Sequence, residues 1–317
     1  MTKPLPHRNG PLFLTDGGLE TTLIFHEGED LPHFAAFLLL STPQGRRKLE
    51  SYFERYLEIA ARDGAGFVLE SPTWRASSDW AERLGVPLDE LESMNRSSIA
   101  LLEELRGRWE RKVAPIVISG CLGPRGDGYD PREIMTVAEA QAYHARQVSS
   151  FADAGADMVS AITMTNLPEA IGIVRAARAR HMPCVISFTV ETDGRLPTGQ
   201  PLGEAIAAVD AATAGWPRYY MINCAHPSHF EDALAKGGAW LQRIGGLRAN
   251  ASRRSHQELN DSPDLDDGDP QALGREHAEL LARHPQVRVF GGCCGTDERH
   301  VACISQACRA LAAVSAA

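Results

Sequence analysis

Short apolar runs alternate along the chain with longer segments whose apolar positions recur at helical spacing. The first run, Pro11 to Leu14, reads as a strand that ends at Thr15-Asp16-Gly17-Gly18. Arg47 to Asp63 then places Leu49, Phe53, Tyr56, Leu57 and Ala60 on one helical face, and Gly64 stops it. Gly66 to Leu69 reads as the second strand, followed by helical segments from Asp79 to about Lys112. Val113 to Ser119 is nearly all apolar, as a parallel strand covered on both faces should be. It opens into Gly120-Cys121-Leu122-Gly123-Pro124. Further strands are expected at Met158–Ile162, Cys184–Thr189, Tyr219–Asn223, Gln242–Ala249 and Val287–Phe290. Helices are expected between and after them at Thr136–Asp153, Pro168–Arg180, Pro201–Thr213, from about Ser228, at Pro270–Arg283 and at Asp297–Val314.

Eight strands, each followed by helix, predict an α/β fold, a single (β/α)8 TIM barrel occupying residues 1–317 as one domain. A doubly wound open sheet is the rival arrangement. It is disfavoured because Asp16-Gly17-Gly18-Leu19-Glu20-Thr21 lacks the third glycine of a dinucleotide-binding turn. Glu258 to Asp269, with five aspartates, reads as a solvated loop.

Composition narrows the function. Acidic residues outnumber basic ones, 41 to 32, for a formal charge of −9, which argues against nucleic-acid binding. The N-terminal segment has no signal-peptide core, and no apolar run approaches the ~20 residues that span a bilayer. A cytoplasmic protein without a membrane partner is therefore expected. The seven cysteines are odd in number and irregular in spacing, unlike a secreted disulfide framework.

Three of these cysteines fall at strand ends, where barrels of this kind gather their functional groups. Cys224 ends the sixth strand, and Cys293 and Cys294 end the eighth in Gly291-Gly292-Cys293-Cys294-Gly295. The flanking glycines free the backbone to turn both thiols toward one point. Three thiolates favour Zn2+ in a tetrahedral site with its fourth position open to a substrate. A thiol bound there loses its proton and becomes a nucleophile. Cys184, Cys303 and Cys308 read as small apolar side chains. His226 and His229, close after Cys224, offer a different metal set.

With these motifs assembled, the chain resembles the homocysteine S-methyltransferases. The resemblance rests on Asp16 to Thr21, Gly120 to Pro124, Asn223-Cys224 and Gly291 to Gly295, in order from one end of the chain to the other. It implies a zinc-bearing barrel that moves a methyl group from a sulfonium, betaine or similar donor to the thiol of homocysteine, giving methionine. The partners implied are a small-molecule thiol acceptor and a methyl donor. Asp16 matches the acidic residue that positions the acceptor, and Asn250 matches part of a pocket-lining Asn-Ser segment. Trp74 stands where relatives carry aromatics and would hold a cationic donor by cation–π attraction.

One position departs from the pattern. The resemblance calls for a glutamate at the end of the fourth strand to take the amino group of homocysteine, and Ile162 stands there. Glu70, at the end of the second strand, is the expected substitute, with Glu191 and Asp193 as further acids in reach. The substitution also keeps open a different thiol or selenol acceptor, or a noncatalytic zinc or redox-responsive barrel.

Overall fold

The computed structural model describes residues 5–6, 10–262 and 264–315. Eight parallel strands close into a barrel in chain order. They are β1 (Phe13–Leu14), β2 (Gly66–Glu70), β3 (Ile116–Leu122), β4 (Met158–Met164), β5 (Cys184–Phe188), β6 (Tyr220–Asn223), β7 (Ile244–Ala249) and β8 (Val289–Gly292). Closure is direct: Phe13 pairs with Gly66 on one side and with Val289 on the other.

A single turn α1 (Leu19–Thr21), a π-helical turn over Thr22–His26 and short 3-10 segments separate β1 from α2 (Pro43–Asp63). Thr42 Oγ1 accepts from Gly45 N at 3.0 Å to cap α2, and Gly64 ends it in the left-handed region at φ 63°. The expected helical stretch after β2 is two helices, α3 (Ser78–Leu84) and α4 (Leu88–Trp109), divided at Gly85 and Pro87. The remaining layer is α5 (Val137–Asp153), α6 (Leu167–Ala179), α7 (Leu202–Thr213), α8 (Pro227–Ala235), α9 (His256–Asn260), α10 (Pro270–Arg283) and α11 (Glu298–Ser315). No helix among the described residues is long and apolar enough to cross a membrane.

Several strands shift from their expected positions: β1 starts at Phe13, β4 runs on to Met164, and β8 spans Val289–Gly292. β3 starts at Ile116, since Pro115 has no N–H to give the ladder, and runs on to Leu122. β7 starts at Ile244 because Ala239–Arg243 form a 3-10 turn.

The barrel interior is layered by the two-residue period of its strands. Phe13, Val68, Val117, Met158, Val185 and Met221 pack into an apolar plug. Two residues further along five of these strands stand Glu70, Ser119, Ser160, Ser187 and Asn223, all buried. Arg248 on β7 joins them. Ser119 Oγ meets Ser160 Oγ at 2.7 Å, and Ser187 Oγ donates to Asn223 Oδ1 at 2.6 Å. A polar layer thus separates the plug from the cavity above.

Candidate active site

The strand ends open into a cavity of about 310 Å3. Cys224, Cys293 and Cys294 all line it, and their sulfur atoms lie within 4.8 Å of one another. Cys224 and Cys293 are joined as a disulfide, and Cys294 is a free thiol 4.0 Å from the Cys224 sulfur. An ion bonded to each sulfur at about 2.3 Å spaces tetrahedral ligands by about 3.8 Å, so the trio in its reduced form fits one ion. The sulfurs also have donors beside them: Thr163 Oγ1 3.7 Å from Cys224 Sγ, Asn223 Nδ2 3.8 Å from Cys293 Sγ and Tyr129 OH 3.4 Å from Cys294 Sγ. His226 and His229 are turned elsewhere, toward Glu276 and the Arg253 carbonyl.

The backbone explains how these thiols converge. Cys224 and Thr163 both take left-handed φ values, 51° and 66°, which side chains rarely adopt. Asn223 holds the arrangement: its Oδ1 accepts from Thr163 N at 3.0 Å and its Nδ2 donates to Thr163 Oγ1 at 2.8 Å. Strained residues kept by such bonding cluster at functional sites. Gly18 is needed for close approach, because a Cβ there would lie 2.6 Å from the Cys293 carbonyl oxygen. The first-strand glycine motif and the paired cysteines are therefore two sides of one contact.

Arg248 dominates the electrostatics of the floor. Its Nη2 donates to Asp16 Oδ1 at 2.7 Å, its Nη1 to Glu70 Oε2, and its Nε to the Gly292 carbonyl at 3.1 Å. Tyr52 OH also donates to Asp16 Oδ2 at 3.0 Å. Burial pushes the pKa of both carboxyls up, with Arg248 pulling each partly back. Burial also works against the charge of Arg248, but the two carboxylates outweigh it and raise its pKa. Asp16 and Glu70 thus sit on the cavity wall as expected, yet each already has a cation.

The other sequence expectations divide. Ile162 lines the cavity, at the position where the resemblance calls for an acid. Trp74 lines it too; its Nε1 donates to the Ile162 carbonyl at 3.2 Å, and Arg75 covers its ring at 3.9 Å. Asn250 is buried but not among the lining residues, its Oδ1 without a hydrogen-bond partner among the described residues. Glu191 and Asp193 also lie off the wall; Glu191 Oε1 is 3.4 Å from His256 Nδ1, and Asp193 binds the Arg195 backbone N–H in its own turn. The acidic loop after α9 is more than a solvated excursion. Leu259, Ser262, Leu265 and Asp266 line the cavity, drawn in by the bond from Ser252 Oγ to Asp266 Oδ2 at 2.6 Å. The sequence pattern assigned no site role to Arg248, Asn223, Thr163 or Tyr129. The first two had a signal, since a polar residue inside a barrel strand needs a partner within the barrel.

The homocysteine S-methyltransferase family model matches residues 13–308, and the chain belongs to that family. It is an S-methyltransferase. Homocysteine S-methyltransferase 1 of Arabidopsis thaliana is 23% identical, covering 94% of this chain and 93% of its own. The selenocysteine Se-methyltransferase of Brassica oleracea var. italica is 25% identical over 66% of this chain and 64% of its own. In fold, the chain is similar to the Escherichia coli homocysteine methyltransferase MmuM. The oxidised form gives a TM-score of 0.73 at 21% identity, covering 94% of this chain and 96% of that one. The metallated form gives 0.69 at 21% identity, covering 93% and 96%.

Proposed function

We propose that this barrel transfers a methyl group from a sulfonium, betaine or similar cationic donor to a thiol, with homocysteine the leading acceptor and methionine its product. The observation that carries the reading is the convergence of three cysteine sulfurs from β6 and β8 within 4.8 Å on one cavity wall. Reduced, Cys224, Cys293 and Cys294 would hold Zn2+, a soft-ligand site suited to that ion. The ion supplies the acidity that keeps an acceptor thiol deprotonated at neutral pH.

The chain's own groups prepare the rest. Thr163, Asn223 and Tyr129 direct donors at the ligand sulfurs and fix their orientation. The acceptor's thiolate charge and the donor's positive charge cancel in the reaction. With a sulfonium donor the sulfur–methyl bond breaks as the acceptor's forms and a neutral thioether leaves; with betaine the nitrogen–methyl bond breaks and a tertiary amine leaves. Holding both ligands in one cavity supplies the alignment that an in-line displacement needs. Asp16 serves the acceptor end through its place on the wall, whereas Glu70 acts through Arg248. Thiolates of this kind require a reducing compartment, so a cytoplasmic location belongs to the proposal.

A selenol acceptor is the second reading, favoured by Ile162 together with the likeness to the Brassica selenocysteine enzyme. The test is metal analysis of the reduced protein followed by a panel of acceptors and donors. About one zinc per chain, lost in Cys293→Ser, with methylated thiol formed from a sulfonium or betaine, is the expected result. Metal-free protein that turns over normally would refute it.

A further inference from the structure

Two charged side chains on the cavity wall remain unexplained by the site described so far. Glu20, on the turn α1, lines the cavity and has no ion-pair partner among the described residues. Arg75 lines it as well, 5% exposed, and likewise forms no ion pair among the described residues. Asp127 and Asp264 also line the cavity without an ion pair among those residues, but at exposed positions where water solvates them. Asp16 and Glu70 are already bound to Arg248.

Arg75 is held in place without being neutralised. Its guanidinium lies 3.9 Å from the ring centres of both Trp74 and Trp80, and Nη1 donates to the Gly126 carbonyl at 2.9 Å. Nε is buried and has no hydrogen-bond partner among the described residues. Asp127 is the strongest attraction Arg75 feels, yet its Oδ1 accepts from the Tyr129 and Asp130 N–H groups instead. Glu20 comes next, near enough for the two charges to influence each other but too far apart for an ion pair. A buried guanidinium with an unpartnered N–H is costly unless something of opposite charge arrives, and a carboxylate lining the same cavity gains from a cation. A carboxyl whose pKa burial raises to about 7 and a guanidinium, both lining one small cavity, match a ligand that carries an ammonium and a carboxylate on one carbon.

We propose that Glu20 and Arg75 form a clamp for a free α-amino acid, Glu20 accepting from its ammonium and Arg75 donating to its carboxylate. The clamp rests on the methyl-transfer reading, because it presents the amino acid's side chain to the cysteine cluster on the same wall. Ile162 brings no charge to this cavity, so Glu20 supplies the ammonium partner. The ligand is either the thiol acceptor or a sulfonium donor built on the same amino-acid core, the shared feature being the zwitterion.

The experiment is calorimetric titration of the reduced, zinc-loaded protein. The acceptor ligands are L-homocysteine, its desamino analogue and its decarboxylated analogue. The donor ligands are S-methylmethionine and a sulfonium acid lacking the ammonium. Glu20→Gln should weaken the ammonium-bearing acceptor or donor about tenfold or more while leaving its desamino counterpart within about twofold. Arg75→Met should weaken carboxylate-bearing ligands by a similar factor and spare the decarboxylated one. Arg75→Lys keeps a cation there should Met disturb the tryptophan pair, and circular dichroism checks that each variant is folded. Sensitivity in the homocysteine series assigns the clamp to the acceptor, and sensitivity in the sulfonium series assigns it to the donor. The clamp is overturned if Glu20→Gln weakens parent and desamino ligands alike, or weakens neither. Loss of the clamp alone leaves desamino-thiol binding that disappears in Cys293→Ser. Absence of any thiol binding to the wild type overturns the methyl-transfer reading itself.

Discussion

Arg248 Nη2 and Asp16 Oδ1 meet at 2.7 Å across the cavity floor, 232 positions apart in the chain. With Glu70 on its other nitrogen, this guanidinium faces two buried carboxyls. Arg248→Met leaves both without a cation, an arrangement that costs about 3–5 kcal/mol in buried pairs. Urea unfolding near neutral pH should show a loss of that order. Burial raises the carboxyl pKa values in the folded state, so without Arg248 stability falls as pH rises through them. The penalty should therefore shrink in acid. A loss equal at neutral and acidic pH would exclude this origin.

Asn223 supports the cysteine cluster without belonging to it. It binds Thr163 twice and lies 3.8 Å from the Cys293 sulfur. Asn223→Ala should weaken metal binding about 10- to 100-fold, as outer partners of metal ligands do. Competition with a chromophoric chelator measures it, and unchanged affinity would mean that the cysteines orient themselves.

The Gly18 contact predicts a local effect. Gly18→Ala places a Cβ 2.6 Å from the Cys293 carbonyl oxygen, a backbone atom with little room to retreat. The loop carrying Cys293 must shift, at a cost of about 1–3 kcal/mol for an overpacked site. Metal content should fall along with melting temperature. In Gly28→Ala the added Cβ meets nothing within 4 Å, although φ is +68° there, so metal content should persist while stability drops modestly.

His277 gives a pH dependence far from the cavity. It is fully buried on α10, packs edge-on to Phe290 and uses Nδ1 to donate to the Leu273 carbonyl at 2.8 Å. Burial lowers its pKa to about 4. Unfolded chains take up the imidazole proton near pH 6.5 while the folded protein does not, so stability falls as pH drops through that range. Between about pH 7 and pH 5 this amounts to roughly 2 kcal/mol. His277→Gln should remove about that much of the pH dependence in urea titrations, whatever its effect at neutral pH. An unaltered pH profile would assign the dependence to other groups.

The barrel was legible because its strands are apolar and its helices are periodic, and the cysteine cluster because adjacent thiols between glycines have few other uses. Strand limits were less so where backbone chemistry intervened, as at Pro115. The floor was hidden for a different reason. Val68 and Glu70, or Met221 and Asn223, share one inward face, but a strand taken as uniformly buried does not distinguish a plug from a polar layer. Arg248 illustrates the cost of that simplification. The pairing of Arg248 with Glu70 across the barrel is set by closure, and the sequence pattern gives no sign of it. Glu20 had only its place in a glycine motif to recommend it, and its lack of an ion-pair partner among the described residues emerges only in three dimensions.

The two residues of β1 carry a consequence for how this protein is made. Phe13 and Leu14 leave the ribosome before the other barrel strands, yet half of their pairing waits for Val289 and Phe290. Asp16 waits for Arg248. Until those partners are synthesised, the nascent chain carries an unpaired strand edge, a feature that invites association with other chains. Fragments ending before β7 should therefore need chaperone protection, and the native barrel should form after synthesis, in one late closure.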